Sequence, residues 1–544
     1  MIQKIFLTTL FLFTIISLKS QVTYDRVYNL LQAQCSSCHN NVNTAPFLDF
    51  TMSKSDVYSL IIGKTPVNPV AAAKGDELIY RGYPEKSFLL RKINKNLGPN
   101  LGLSAGEGSM MPNPNAPIPD HEVEIIRQWI LNGAPQSGNV VNQSAIESYY
   151  NDGGLQIANI PNPPDPSEGF QLHFGPIFLE PLQEVEFFKK HELWNDEPME
   201  VNRIDVFMNW QSHHFLLYKF KEGQAPNSAW LRPVNMSNVL SSDKNVVTQW
   251  QYSNDIRLPE KTAFFWGENT ALDFNYHILN YSTDEILKAE IYMNVYTQPS
   301  GTAEVEMLTQ YRHYPVMQFI IPPGETTFSE PIYSPTNTDT SYIWKITSHT
   351  HKFGTAYNVF ARNPDGTRGD TLYNGNYDVD YVEDLGFYNW EHPPIRYFSP
   401  LKPIANNNGL IHEATFNNYS GNTVTFGLTT DDEMMLLIYQ YTESMPSEDE
   451  EVVSAEYLEK DNFVTLEFNP VNNYISLNFE RNFETMEIEL YNSAGQRVLK
   501  EFHAETFKGS NILINLEKFQ LPSGKYHLHL SSGNEHSRIP IIKI

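Results

Sequence analysis

Residues 342–354 read YIWKITSHTHKFG, with apolar and polar side chains alternating up to Ser348, the pattern of a β-strand. Side chains on a strand repeat every second residue, so His349 and His351 are expected on one face. Two imidazoles side by side on a rigid element supply half of a metal site. Spacing alone does not establish one, because His527 and His529 in KYHLHL (525–530) share it. Those two fall in a tail strand and are read as surface side chains.

Outward from this stretch, the chain between Gly169 and Thr442 reads as all-β. Short runs such as RIDVFMNW (203–210), AEIYMNVY (289–296), MQFIIPP (317–323) and LLIYQY (436–441) alternate with clusters of Gly, Pro, Asn and Asp. No long helical period interrupts them, which predicts sandwiches or barrels. Three further motifs carry candidate ligands. Adjacent histidines occur in Trp210-Gln211-Ser212-His213-His214-Phe215, and a third in Asn275-Tyr276-His277. Neighbours on an ideal strand face opposite ways, so His213 and His214 could share an ion only across a bulge or bend. His313, in YRHYP (311–315), competes with His277 on composition. The run Thr430-Asp431-Asp432-Glu433-Met434-Met435 offers two thioethers.

The 544 residues predict three or four domains. With 30 Tyr, 32 Phe, 8 Trp and 19% charged residues the chain is globular, and its net charge of -26 argues against nucleic acid as a partner. Met1 to Ser20 has the Lys4 n-region and apolar core of a secretory signal, with cleavage expected near Ser20/Gln21. No Cys follows that core to accept a lipid. Both cysteines of this exported chain lie in one motif, so it has no disulfide framework.

That motif, Cys35-Ser36-Ser37-Cys38-His39, is a C-x-x-C-H haem attachment sequence. It predicts one covalently bound haem c, with His39 as an axial ligand. A Met-Pro loop follows in SMMPNPNAPIPDHEVEIIRQWILNGAP (109–135). A helix comes next, with Asp120 as N-cap, Val123, Ile126, Trp129 and Ile130 at helical spacing, and Gly133 as its stop. From Val22 to Pro135 this resembles class I cytochrome c domains. The resemblance implies a thioether as second axial ligand, Met111 in preference to Met110, and a raised haem potential suited to electron transfer.

The order HH, NYH, IPPGE (321–325), HTH and Asp432-Glu433-Met434 resembles the copper type II, ascorbate-dependent monooxygenases, over roughly Glu168 to Tyr441. That family includes the peptidylglycine hydroxylating enzyme and dopamine β-monooxygenase. It implies two tandem, jelly-roll-like β-sandwiches, each with one copper ion. By the same resemblance His213, His214 and His277 hold the electron-transferring copper. His349, His351 and Met434 hold the copper at which dioxygen is activated. Three imidazoles suit both copper oxidation states, and two with a thioether favour Cu(I). The chain departs from the peptide enzyme at Thr347, where that enzyme has a substrate-holding Arg, and at Leu436 and Ile438, so amidation of peptides is not expected.

An acidic, Ser-rich run, TESMPSEDEEVVSAEY (442–457), reads as a linker. Beyond it, FNPVNNYISLNF, IELYNSAGQRV, LPSGKYHLHL and IPIIKI resemble the C-terminal sorting domain of type IX secretion, on Asn469-Pro470, Gly495-Gln496 and Gly524-Lys525-Tyr526. The expected organisation is a signal peptide (1–20), a small all-α cytochrome c domain (21–145) and a linker (146–167). Two β-sandwich copper domains (168–310 and 311–442), an acidic linker (443–461) and a small β-sandwich sorting domain (462–544) complete it. The expected activity is hydroxylation of an activated C–H bond by a secreted or surface-held monooxygenase exported through the periplasm and outer membrane. Its expected partners are dioxygen, a small organic or peptide-like substrate, an external reductant or redox partner, and the type IX machinery. The competing expectation is a non-catalytic haem and copper protein for electron transfer or copper capture.

Overall fold

The computed structural model describes residues 22–42, 48–112, 116–158, 160–228, 230–334, 336, 338–447, 463–466, 471, 474–492, 497–519, 521, 524–532 and 535–543. The signal peptide, most of the acidic linker, Asn469-Pro470 and Gly495-Gln496 lie outside the described residues. The chain divides into two compact units, Met1–Ser447 and Glu448–Ile544.

The first unit opens with helices Thr23–Cys35, Lys54–Ile61, Phe88–Ile93, Asp120–Leu131 and Gln143–Asp152 around one apolar cluster. The spacing of Val123, Ile126, Trp129 and Ile130 aims all four inward, each at most 1% exposed. Trp129 stacks on Tyr24 at 5.4 Å and ties the fourth of these helices to the first. Asp120 is the first helical residue rather than the N-cap, a place taken by Pro119. There its carboxylate still faces the positive end of the helix dipole. Gly133 ends the helix at φ 85°. The Gln143–Asp152 helix, capped by the Asn142 side chain on the Ala145 N–H, occupies the start of the stretch read as a linker.

Two β-sandwiches follow. One sheet of the first orders Gly169–Leu179, Leu287–Gln298, Met199–Met208, Thr262–Trp266 and Val305–Glu306, with Asn254–Arg257 added on the third. The facing sheet orders Arg232–Pro233, Glu184–Glu192, Ala271–Leu279, Ser212–Phe220 and Lys244–Trp250. Phe174, Ile204, Val206, Phe215, Leu217, Trp250, Phe274 and Ile291 fill the space between. In the second sandwich Leu308–His313, Leu436–Thr442, Thr340–His349 and Arg396–Ala405 form one sheet. Gly324–Ile332, Leu410–Asn418, Gly354–Arg362 and Arg368–Asn374 form the other. Its first strand starts at Leu308, a few residues before the expected boundary, because it pairs with Leu436–Thr442. MQFIIPP yields only a 3-10 turn and the two-residue strand Ile320–Ile321. Pro322 and Pro323 lack the N–H groups that would extend the ladder. The sandwiches pack directly on each other: Trp344 and Leu401 of the second join the core of the first, and Gln440 donates to the Val247 carbonyl at 3.0 Å.

The second unit is a small sandwich of its own. A three-stranded sheet (Val464–Leu466, Tyr474–Phe479, Asn511–Asn515) and a four-stranded one (Arg497–Thr506, Phe483–Asn492, Gly524–Ser532, Glu535–Lys543) enclose Ile475, Leu477, Ile488, Leu490, Leu528 and Leu530. His527 and His529 alternate with the buried Leu528 and Leu530, and His527 is exposed. Among the described residues no helix is long and apolar enough to cross a membrane.

Candidate metal centre

The strand Ser212–Phe220 lies against Ala271–Leu279, and its ladder slips between Ser212 and His214. Ser212 pairs with Ile278 and His214 with His277, which leaves His213 as the extra residue of a β-bulge. The bulge turns two adjacent side chains toward one point. Ring centroids of His213 and His214 are 5.3 Å apart, and those of His213 and His214 lie 5.0 and 5.1 Å from His277. A 2.8 Å hydrogen bond between the Ser212 and Tyr276 hydroxyls pins its start. His313 is elsewhere, its ring beside Phe426 and its Nδ1 at the Tyr314 carbonyl.

His349 and His351 do not sit along one continuous strand, as the alternation predicts. The strand ends at His349, and His351 belongs to the turn that follows. Their rings are nonetheless 5.2 Å apart, at right angles. Gly354 closes the turn by donating to the His351 carbonyl at 3.0 Å, and a Cβ there would meet Thr350 Oγ1 at 2.1 Å. The buried Glu433 carboxylate braces it by accepting from the backbone N–H groups of His351, Phe353 (3.0 Å) and Met434 (2.8 Å). Burial pushes the Glu433 carboxyl up to about 8, against the pull of these donors toward the charged acceptor. Met434 lines a cavity with His214, His349, Leu216, Tyr218 and Tyr311, whereas Met435 packs into the second sandwich's core.

The packing of the two sandwiches brings the two sets together. His213 lies 5.2 Å from His349 and 6.1 Å from His351, and His214 lies 5.3 Å from His349. Donor atoms of His213, His214 and His277 fall within 4.8 Å of one another, and so do those of His213, His349 and His351. His213 belongs to both groups, where the sequence assigns it to one.

These residues fit a metal ion. His213 Nε2, His214 Nδ1 and His349 Nε2 are buried without a hydrogen-bond partner, an arrangement that costs about 1–3 kcal/mol per atom unless something accepts their lone pairs. Burial holds the imidazoles of His213, His214 and His349 well below their usual range and His351 down to about 4, so all four imidazoles are neutral at physiological pH. Residues outside the predicted set support them. Glu184 Oε1 lies 2.7 Å from His277 Nε2 and accepts from Thr430 Oγ1 at 2.9 Å, joining the two sandwiches beside the ligand. That contact with His277 holds the Glu184 carboxyl below its usual range. Trp390 covers His213 at 5.7 Å. Glu433 stands inside the motif that carries Met434; Glu184 and Trp390 have no comparable signal.

In the helical part, the first helix ends at Cys35, and the N–H groups of Cys38 and His39 donate to the Cys35 carbonyl at 3.2 and 2.8 Å. Both thiols are free, that of Cys35 against the apolar cluster and that of Cys38 exposed. His39 packs edge-on to Phe50 at 5.7 Å, with Nδ1 buried and unpartnered. Two unpaired thiols beside an unengaged imidazole suit thioether attachment and axial ligation of a haem. The methionine loop is fastened from behind. Arg91 grips the Glu107 carboxylate at 2.6 and 2.8 Å, Lys92 donates to the Glu107 carbonyl at 3.2 Å, and the Met111 N–H donates to the Lys92 carbonyl at 2.7 Å. Met111 is 41% exposed and Met110 half-buried.

Residues 469–543 match the family of secretion system C-terminal sorting domains. A type IX tail of this kind implies export, with the protein released or held at the cell surface, and interaction with the type IX secretion machinery. No curated protein matches the chain. Similar solved structures include the Ruminococcus gnavus β-glucuronidase in complex with uronic isofagomine, at 11% identity and TM-score 0.14, covering 41% of this chain and 35% of that one. The β-1,2-glucanase from Parabacteroides distasonis follows, at 13% and 0.14, covering 44% and 36%. The major capsid protein P2 from bacteriophage PM2 gives 13% and 0.18, covering 54% and 97%. The chain spans about a third of the length of the two glycosidases. TM-scores this low carry no argument about fold or function.

Proposed function

We propose that this exported protein is a copper-dependent monooxygenase that hydroxylates an activated C–H bond of an organic substrate, with a c-type haem domain as its electron source. The observation that carries the reading is the meeting of five buried histidines from two sandwiches, three with unpartnered ring nitrogens, beside the Met434 thioether. Copper held there supplies one-electron chemistry toward dioxygen. His213, His214 and His277 form an all-imidazole group that tolerates either oxidation state, whereas Met434 biases the His349/His351 group toward Cu(I). The cavity beside Met434, about 20 Å³, is lined by Leu216, Tyr218, Tyr311 and Leu436 together with the polar Glu186, Gln249 and Asn275, which is room for about one small molecule the size of water. Cys35, Cys38 and His39 would hold the haem, with a thioether of the Met110-Met111 loop as its second ligand. The helical part packs directly on the first sandwich, where Gln128 donates to the Pro176 carbonyl at 2.8 Å and Leu231 to that of Leu131 at 3.0 Å.

Metal analysis of the exported protein is expected to give about two copper ions and one haem per chain, from the ligand sets above. Substrate-dependent oxygen consumption is expected to vanish in Met434→Ala and His351→Ala. Bound copper with no oxygen consumption across a broad substrate panel would refute the enzyme and leave a haem and copper carrier. In stopped flow, the haem of the fully reduced protein should oxidise after mixing with dioxygen and substrate. A haem that stays reduced through copper turnover refutes the relay.

A further inference from the structure

We infer that His213 is a ligand common to both histidine groups, so that the two copper positions form one coupled site. This rests on the reading that the cluster binds copper. Metal–imidazole bonds of about 2.0–2.1 Å place two donors on one ion at most about 4 Å apart. Donors already within 4.8 Å of one another close on an ion by movements below about 1 Å, and both His213 groups meet that condition. Among the described residues His213 alone has ring contacts with each of the other four histidines, at 5.0 to 6.1 Å. His214 also touches His349, at 5.3 Å, yet it joins no group with His349 and His351. As the extra residue of a bulge, His213 is also the one ligand of its strand outside the regular ladder.

One imidazole nitrogen ligates one ion at a time. With both ions present, His213 must therefore serve one and leave the other short, or release its ring N–H proton to solvent and bridge both ions as an imidazolate. Either way the occupancy of each position changes the affinity of the other, and the change is reciprocal.

The test is an anaerobic Cu(I) titration of the full exported chain against a competing chelator. Two steps are expected, separated by at least about tenfold, since groups that merely brace a ligand are worth about 10–100-fold in metal affinity. His277→Ala should weaken one step and His351→Ala the other, whereas His213→Asn should weaken both. A His214→Ala/His277→Ala double variant frees His213 for the remaining group. It should bind one ion at least about tenfold more tightly than the second step of the wild type. This arm stands even if His213→Asn fails to fold. The inference is overturned if His213→Asn weakens only the step lost in His277→Ala, or if the double variant binds no more tightly than the wild-type second step. Either result leaves the copper reading intact; no bound copper at all overturns both.

Discussion

Replacing Glu433 with Gln should loosen the turn that carries His351 while leaving the His277 side of the cluster in place. One carboxylate oxygen accepts from the N–H groups of His351 and Met434, and the other from Phe353 at 3.0 Å. A glutamine keeps one oxygen, and its amide nitrogen then faces a donor with a donor. Stranding that one buried N–H costs about 1–3 kcal/mol. The penalty falls on the segment holding His351 and Met434, so it should appear as Cu(I) binding weakened about 5- to 150-fold in the His349/His351/Met434 group. The assay is a chelator-competition titration at about pH 9, above the value of about 8 to which burial raises this carboxyl, so that both oxygens are acceptors, run beside His277→Ala to identify the step affected. A Glu433→Gln protein that unfolds at the wild-type temperature and binds both ions at wild-type affinity would show that the carboxylate does not brace the turn.

Three other expectations follow from the same geometry. Glu184→Gln should weaken copper binding at His277 by about 10–100-fold, read by the same titration. His412, fully buried with Nδ1 2.7 Å from the Tyr357 hydroxyl, is held down to about 3 by burial. It protonates in the unfolded chain below about pH 6.5 but not in the folded one, so stability should fall with pH by up to about 1.4 kcal/mol per unit below that point. Urea unfolding at pH 7 and pH 5 should show the wild type losing about 2 kcal/mol more than His412→Gln. Deleting residues 463–544 should retain the protein inside the outer membrane, measured by cell fractionation; a truncated chain that still reaches the surface or medium would refute the tail's role.

Much of the architecture was legible because period-2 alternation survives folding. Thr340–His349, Leu287–Gln298 and Leu436–Thr442 all lie where their patterns put them. Short-range breaks were harder to see. MQFIIPP looks strand-like by hydrophobicity, yet its two prolines withhold the donors a ladder needs. The adjacency of His213 and His214 announces that a bulge is required, but its place is set by pairing with Ile278 and His277, more than sixty residues away. The sharing of His213 was hidden for the same reason: it depends on how two sandwiches dock, which no local spacing encodes. Glu433 was visible as an acid and invisible as a brace, because its partners are backbone N–H groups that every residue but proline carries. Glu184 meets both His277 and Thr430 across long sequence separations, so its role appears only once the strands are assembled.

Both cysteines of this exported chain are taken up by one short motif, which leaves the two sandwiches without a covalent tie. An ion gripped by His213, His349 and His351 would act on the unfolded polymer as a cross-link between positions 213 and 351, closing a loop of about 138 residues. By the chain-entropy relation used for disulfides, a closure of that length is worth about 5 kcal/mol at 25 °C. The metal would then be this protein's substitute for a disulfide, and stripping it with a chelator would leave the two sandwiches held by packing at Trp344 and Leu401 and by hydrogen bonds such as Gln440 to Val247.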